Sequence, residues 1–147
     1  MDKLFPLALS LDQLSRVIGS VAAPAFLLGA VAAFTSVLFS RMNRVIDRSQ
    51  YLFAIPDADR ERSYLKKDIP RLKRRAELLN RAVFYATICA IITSLLIIVA
   101  FVSAILGLAH EYGVAILFIA AVAFFLMSLI ELARETHIGL HDLDHRI

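Results

Sequence analysis

The sequence predicts an all-α membrane protein with three transmembrane helices. Cytoplasmic helical extensions are expected as a hairpin between spans 1 and 2 and a tail after span 3. Three observations carry this prediction. Of 147 residues, 59% are hydrophobic and only 20% charged, against about 45–50% and about 25% in an ordinary soluble domain. The apolar residues are concentrated: no Asp, Glu, Lys or Arg occurs in Val17–Phe39, Ala82–Ala109 or Tyr112–Ile130, runs of 23, 28 and 19 residues. A bilayer core of about 30 Å needs roughly 20 such residues in a helix. Finally, the polar segments between and after these runs keep a helical spacing of apolar residues.

The whole chain, 1–147, reads as a single membrane domain. The largest polar piece, between the first two runs, has 42 residues and cannot bury a core of its own. A soluble globular enzyme is thereby excluded. The first run is too long for a signal peptide and is followed by Arg41, a stop-transfer charge, so all three spans are expected in the mature protein. The short apolar stretch from Leu4 to Leu9 is too brief for a signal core. The one thiol, Cys89, lies in the second run and can form no intrachain disulfide.

Charge predicts the orientation. Between Ser40 and Arg81 there are twelve Lys and Arg against six acids, whereas the turn at His110–Glu111 holds no base. Basic loops stay in the cytoplasm. The N-terminus is then outside, residues 40–81 inside, the His110–Glu111 turn outside and the C-terminus inside.

The connection 40–81 reads as an antiparallel helical hairpin. Leu65, Ile69, Leu72, Ala76, Leu79 and Val83 recur at alternating steps of 4 and 3 and run into the second span, a heptad stripe. Met42, Val45, Ile46, Ser49 and Leu52–Phe53 extend the first span on the other arm, and this arm is expected to bury Met42, Val45 and Ile46 against the stripe. A turn is predicted at Ala54–Asp59, which holds Pro56 and two aspartates. Pro70 either kinks the second arm or starts it, with Asp68 as cap. In the tail, 131–147, Leu129, Leu132, Thr136, Leu140 and Leu143 share a face, which Gly139 weakens by up to about 1 kcal/mol relative to Ala. Near the N-terminus, Ser10-Leu-Asp-Gln13 has the form of a capping box. Leu4, Leu7, Leu11, Leu14 and Ile18 suggest a short interfacial helix. The 28-residue run measures about 42 Å and the 19-residue run about 28 Å at 1.5 Å per residue, so Ala82–Cys89 should protrude or be absorbed by tilt.

Several side-chain groups are candidate sites. In the first span, Gly19 and Ala23 are four apart, as are Ala25, Gly29 and Ala33, a spacing that lets helix backbones approach in lipid. The face could pack within one subunit, between subunits, or along a pore. Pro24 frees the Ser20 carbonyl and implies a kink. Thr87 and Ser94 read as hydrogen-bond glue between helices. Arg41, Arg44 and Arg48, with Asp47 beside them, read as an anchor for anionic lipid headgroups. Alternatively, Asp47 fixes the hairpin register by pairing with Arg74, Arg75 or Arg81. Lys73-Arg-Arg75 suits an anionic surface, and beside a membrane span this means lipid and not nucleic acid. Glu131 and Glu135 either form an acidic ring in an oligomer or pair with the basic hairpin. His137, His141 and His145 read as a solvated stripe. No phosphate loop, metal motif, cofactor motif or catalytic arrangement is visible, and no charge lies inside a span. The chain is not expected to be an enzyme.

Ala23-Pro-Ala-Phe-Leu-Leu28, followed by Arg41-Met-Asn-Arg-Val-Ile-Asp-Arg48, resembles the bacterial membrane family known as domain of unknown function 2721. Leu72-Lys-Arg-Arg75 and the acidic position Glu131 are similar too, and the resemblance covers about residues 15–135. It implies a three-span protein of the bacterial inner membrane and supplies no activity. Two function classes follow from the residues. One is a homo-oligomeric channel or pore-like assembly, suggested by small size, the small-residue span and the basic inner mouth. The other is a non-conducting scaffold or accessory subunit of a larger membrane complex, suggested by the absence of intramembrane charge.

Overall fold

A computed structural model of the chain describes residues 10–109 and 111–144. They form three long helices: α1 (Leu11–Phe53), α2 (Ile69–Leu106) and α3 (Glu111–Asp144), with a 3-10 segment, Ser63–Asp68, leading into α2. The lengths are 43, 38 and 34 residues, or about 64, 57 and 51 Å at 1.5 Å per residue. Each helix contains an 18-residue window with a mean hydropathy of 2.1, 2.9 or 2.8 respectively. Each is apolar enough to cross a bilayer and too long to end within one, since the full membrane thickness is about 40–45 Å. The protein is therefore an integral membrane protein.

Local chemistry sets the ends. The capping box forms: Gln13 N–H donates to Ser10 Oγ at 3.2 Å and Ser10 N–H to Gln13 Oε1 at 3.1 Å. Residues 11–18 are the opening turns of α1 itself. Leu4 and Leu7, the start of the suggested interfacial helix, lie outside the described residues. After Phe53 the chain turns through Pro56, and Asp59 closes the turn by accepting from the backbone N–H of Glu61 and Arg62 and from Arg62 Nε. Pro70 sits in the first turn of α2, where no helical acceptor awaits its missing N–H, so α2 starts there and no kink is needed. At the far end Gly107 has φ +65°. Its N–H reaches the Ala104 carbonyl, and the Leu108 N–H reaches Ser103. This is the Schellman stop, which needs a left-handed residue and so favours glycine. The apolar run to Ala109 thus outlasts its helix.

The chain divides into two compact units, residues 1–32 with 87–125, and 33–86 with 126–147. In the first, Val17, Val21, Val31, Cys89, Thr93, Leu96, Ala100 and Ala121 are buried. These are mostly small or β-branched, as close helix approach in lipid requires. In the second, the core is built from Leu38, Val45, Leu52, Leu72, Leu78, Leu79, Ala82 and Ala86, with Ser128, Glu131 and Glu135 buried among them.

Within each helix the buried positions keep a seven-residue repeat. One such series in α1 is Val17, Pro24, Val31, Leu38, Val45 and Leu52; in α2, Leu72, Leu79, Ala86, Thr93 and Ala100, with Ala82, Cys89 and Leu96 a second one; in α3, Ala121, Ser128 and Glu135. This is the seam of a coiled coil. It corrects one expectation: Val45 is buried, but Ile46 is 42% exposed, because one residue further along turns a side chain about 100° off the seam. Phe53 is likewise exposed while Leu52 is fully buried.

Candidate functional site

In the second unit, the α3 seam places a carboxylate where a core residue belongs. Ala121 and Ser128 precede Glu135 at sevens, and the Glu135 side chain has 0% exposure. A buried carboxylate must be paired. Arg41 of α1 donates from Nη1 to Oε2 at 2.7 Å and to the Thr136 hydroxyl at 3.0 Å. Arg75 of α2 reaches Oε1 with Nε and Nη2, both at 2.8 Å. One side chain thus ties all three helices together through both its oxygens.

The two guanidiniums remain 36% and 27% exposed. The carboxylate is desolvated but its partners keep water, which limits the desolvation cost that makes fully buried pairs expensive. With two cations on one anion, the cluster carries a net positive charge. Arg75 lies across α3 at Gly139, one turn beyond Glu135, where a Cβ would stand in ordinary contact at 3.5 Å from the guanidinium carbon.

The other carboxylate, Glu131, is held by Arg134 of its own helix at 3.3 Å. Of the two expectations for these glutamates, the structure gives Glu135 to the basic arms of α1 and α2. The carboxylate that joins the arms is Glu135, because Asp47 falls on an exposed face of α1. Among the described residues no ion pair links Asp47 to Arg74, Arg75 or Arg81. Arg44 and Arg81 are exposed, Arg48 lies over the Tyr51 ring at 5.4 Å, and Arg74 meets Glu77 at 3.8 Å.

Hydroxyls also divide differently from the expectation. Ser94 bonds back to Ala90 of its own helix. Besides Thr136, Ser128 crosses between helices, donating to the Ala82 carbonyl at 2.6 Å, while buried Thr93 bonds to Cys89. Ser128 and Gly139 escaped sequence reasoning. The signal that could have found Ser128 is its place seven residues before Glu135.

The small-residue face lies outside the packing of the chain. Gly19, Ala23, Ala25, Gly29 and Ala33 are exposed, and only Pro24 turns inward. A Cβ at Gly19 or Gly29 would meet nothing within 4 Å. Farther along α1, exposed Ser36, Ser40 and Arg44 line a shallow groove of about 310 Å³ with Val37 and Arg41. The outward surface of α1 also carries Ile18, Phe26 and Val37, and the other helices expose mainly aliphatic side chains. α2 presents Ile91, Leu95, Ile98 and Val102, and α3 presents Ile116, Ile119, Leu126 and Ile130. His137 and His141 are exposed with rings stacked 6.4 Å apart; His110 and His145 lie outside the described residues.

Residues 21–145 match the family described as Protein of unknown function (DUF2721), a span that includes Arg41, Arg75 and Glu135. No curated protein and no solved structure matches the chain.

Proposed function

We propose that this chain, which belongs to the DUF2721 family, works as a homo-oligomeric membrane assembly whose copies meet along α1. One observation carries the reading: Ala25, Gly29 and Ala33 of α1 are exposed instead of packed in the core of their own chain, and a Cβ at Gly29 would meet nothing within 4 Å. Between helices in lipid there is no hydrophobic drive, so association depends on close backbone approach, which Gly29 and Ala33 permit. A scaffold or an accessory subunit of a larger complex uses such a face directly.

A pore-like assembly is the second reading. Ser36, Ser40 and Arg44 favour it, because the same outward face of α1 ends in hydroxyls and a cation that could line a shared axis. The proposed setting is a bacterial inner membrane, with residues 40–81 in the cytoplasm on the strength of their twelve bases, and the tail on the same side.

Native mass spectrometry from nanodiscs tests the assembly. Because Gly29 has no neighbour within its own chain, Gly29→Leu should leave helicity and unfolding of the single chain unchanged and lower the assembly number. A wild-type monomer would refute the oligomer. An unchanged number in both Gly29→Leu and Ala33→Leu would move the contact off α1. Ion flux into liposomes at matched protein density separates pore from scaffold. A reporter after Asp57 that is active only outside the cell would reverse the orientation.

A further inference from the structure

We infer that a groove between α2 and α3 in the second unit holds the phosphodiester headgroup of an anionic phospholipid. The groove encloses about 440 Å³ and is lined by Arg74 and Leu78 of α2 and by Ile130, Arg134, His137 and Ile138 of α3. Its two ends differ in chemistry. Leu78 lies one helical turn nearer than Arg74 to the apolar run that begins at Ala82, and Ile130 is the last residue of the apolar run in α3. Arg134 and His137 lie one and two turns beyond Ile130. The apolar lining is therefore continuous with the lipid-facing stretches of both helices, and the cations stand past its polar end.

That order fits a lipid, with an acyl chain along exposed Ile130, Leu78 being buried behind it, and its phosphate between Arg74 and Arg134. Both guanidiniums are available. Arg74 is half-exposed and only 3.8 Å from half-exposed Glu77, a loose surface pair. Arg134 gives Nη1 to Glu131 and keeps about half its surface. A guanidinium offers five donors in a planar fork that matches two phosphate oxygens, and the exposed His137 ring adds a further donor. A soluble phosphate would use the cations but not the apolar end; a diester on acyl chains uses both. The site is formed within one chain and does not depend on the assembly proposed above.

The test is native mass spectrometry of the detergent-solubilised chain with phosphatidylglycerol, with phosphatidylcholine of the same acyl chains, and with soluble glycerophosphoglycerol. We expect one phosphatidylglycerol per chain to survive detergent removal, against little phosphatidylcholine and little displacement by the soluble headgroup. A juxtamembrane cation contributes about a fivefold factor, so Arg74→Gln with Arg134→Gln should lower retention by about 25-fold. Arg60→Gln with Lys67→Gln removes the same charge elsewhere and should change nothing. Equal retention of phosphatidylcholine, full displacement by glycerophosphoglycerol, or an equal loss in the control pair would overturn the site. If the double variant fails to fold, wild-type protein labelled by a photoreactive phosphatidylglycerol decides: adducts on residues 74–78 and 130–138 support the site, and adducts elsewhere refute it.

Discussion

Arg41 and Glu135 stand 94 residues apart in the chain and 2.7 Å apart in space. The contact exists because the α1 and α3 seams, both repeating at seven, bring a basic position beside an acidic core position. Arg75 completes it from α2. The cluster predicts a specific pattern of non-additivity. Removing one arginine, as in Arg41→Met, leaves Glu135 its other partner and should cost about 1–3 kcal/mol. Removing both leaves a bare buried charge and should cost more than the sum, at least about 3–5 kcal/mol. Adding Glu135→Met to that double variant should restore most of the loss. Thermal unfolding in one detergent measures all of these, and simple additivity would show that the three side chains do not act together.

The seam phase makes a second prediction. Leu72 is 6% exposed and Ile46 42% exposed, although both belong to apolar stripes of the hairpin. Leu72→Asp should destabilise the fold by a few kcal/mol, since it strands a charge among apolar side chains. Ile46→Asp should cost under about 0.5 kcal/mol. Equal losses would mean the seam runs elsewhere.

Gly139 gives a third. A methyl there would sit in ordinary contact with the Arg75 guanidinium at 3.5 Å, so Gly139→Ala should be tolerated and gain up to about 1 kcal/mol of helix propensity. Gly139→Leu occupies the space of the guanidinium and should lower stability by separating Arg75 from Glu135. Stabilisation by both substitutions would show that the guanidinium does not lie across α3 in solution.

The turn between α1 and α2 titrates. The hydrogen bond from Lys66 holds the Asp57 carboxyl below its ordinary range, and the one from Arg62 does the same for Asp59. A lowered folded-state value means the charged form is favoured on folding. The contribution is complete above the unfolded value near pH 4 and is lost as pH falls through the lower folded values. NMR titration of the carboxyl carbons should give both midpoints below that of an unpaired aspartate, with 1 M salt shrinking the difference most for the exposed Asp57. Lys66→Gln should return Asp57 to the ordinary range and leave Asp59 unchanged. Midpoints that salt and Lys66→Gln leave unmoved would refute the pairs.

Much of the fold is legible before any coordinates, and particular residues show why. Ser10 and Gln13 announce the start of α1, because both halves of a capping box are local. Pro56 and Asp59 mark the turn for the same reason, whereas Pro70 admits a kink as well as a start and the structure decides for the start. The buried phase of α1 is harder to read. Inside an apolar run nearly every position is apolar, so hydrophobicity has no contrast from which to extract a period. The hairpin stripe has that contrast, yet it admits both Val45 and Ile46. The candidate site shares this limit: Glu135 is visibly acidic and visibly near a basic hairpin, but choosing Arg41 and Arg75 over ten other bases requires knowing which way each helix faces.

The sequence by itself determined three helices long and apolar enough to cross a membrane, since length, hydropathy and end-capping depend only on neighbours along the chain. It also supplied Glu135, its basic surroundings and the small residues of α1. Only the tertiary structure decided the rotation of each helix about its axis. That rotation puts Val31, Leu38 and Val45 inside, Gly29 and Ala33 outside, and Glu135 between two guanidiniums. The reason is physical: a helix in lipid is apolar on every side, and what selects its inner face is shape and the pairing of a few polar groups with residues far away in the chain.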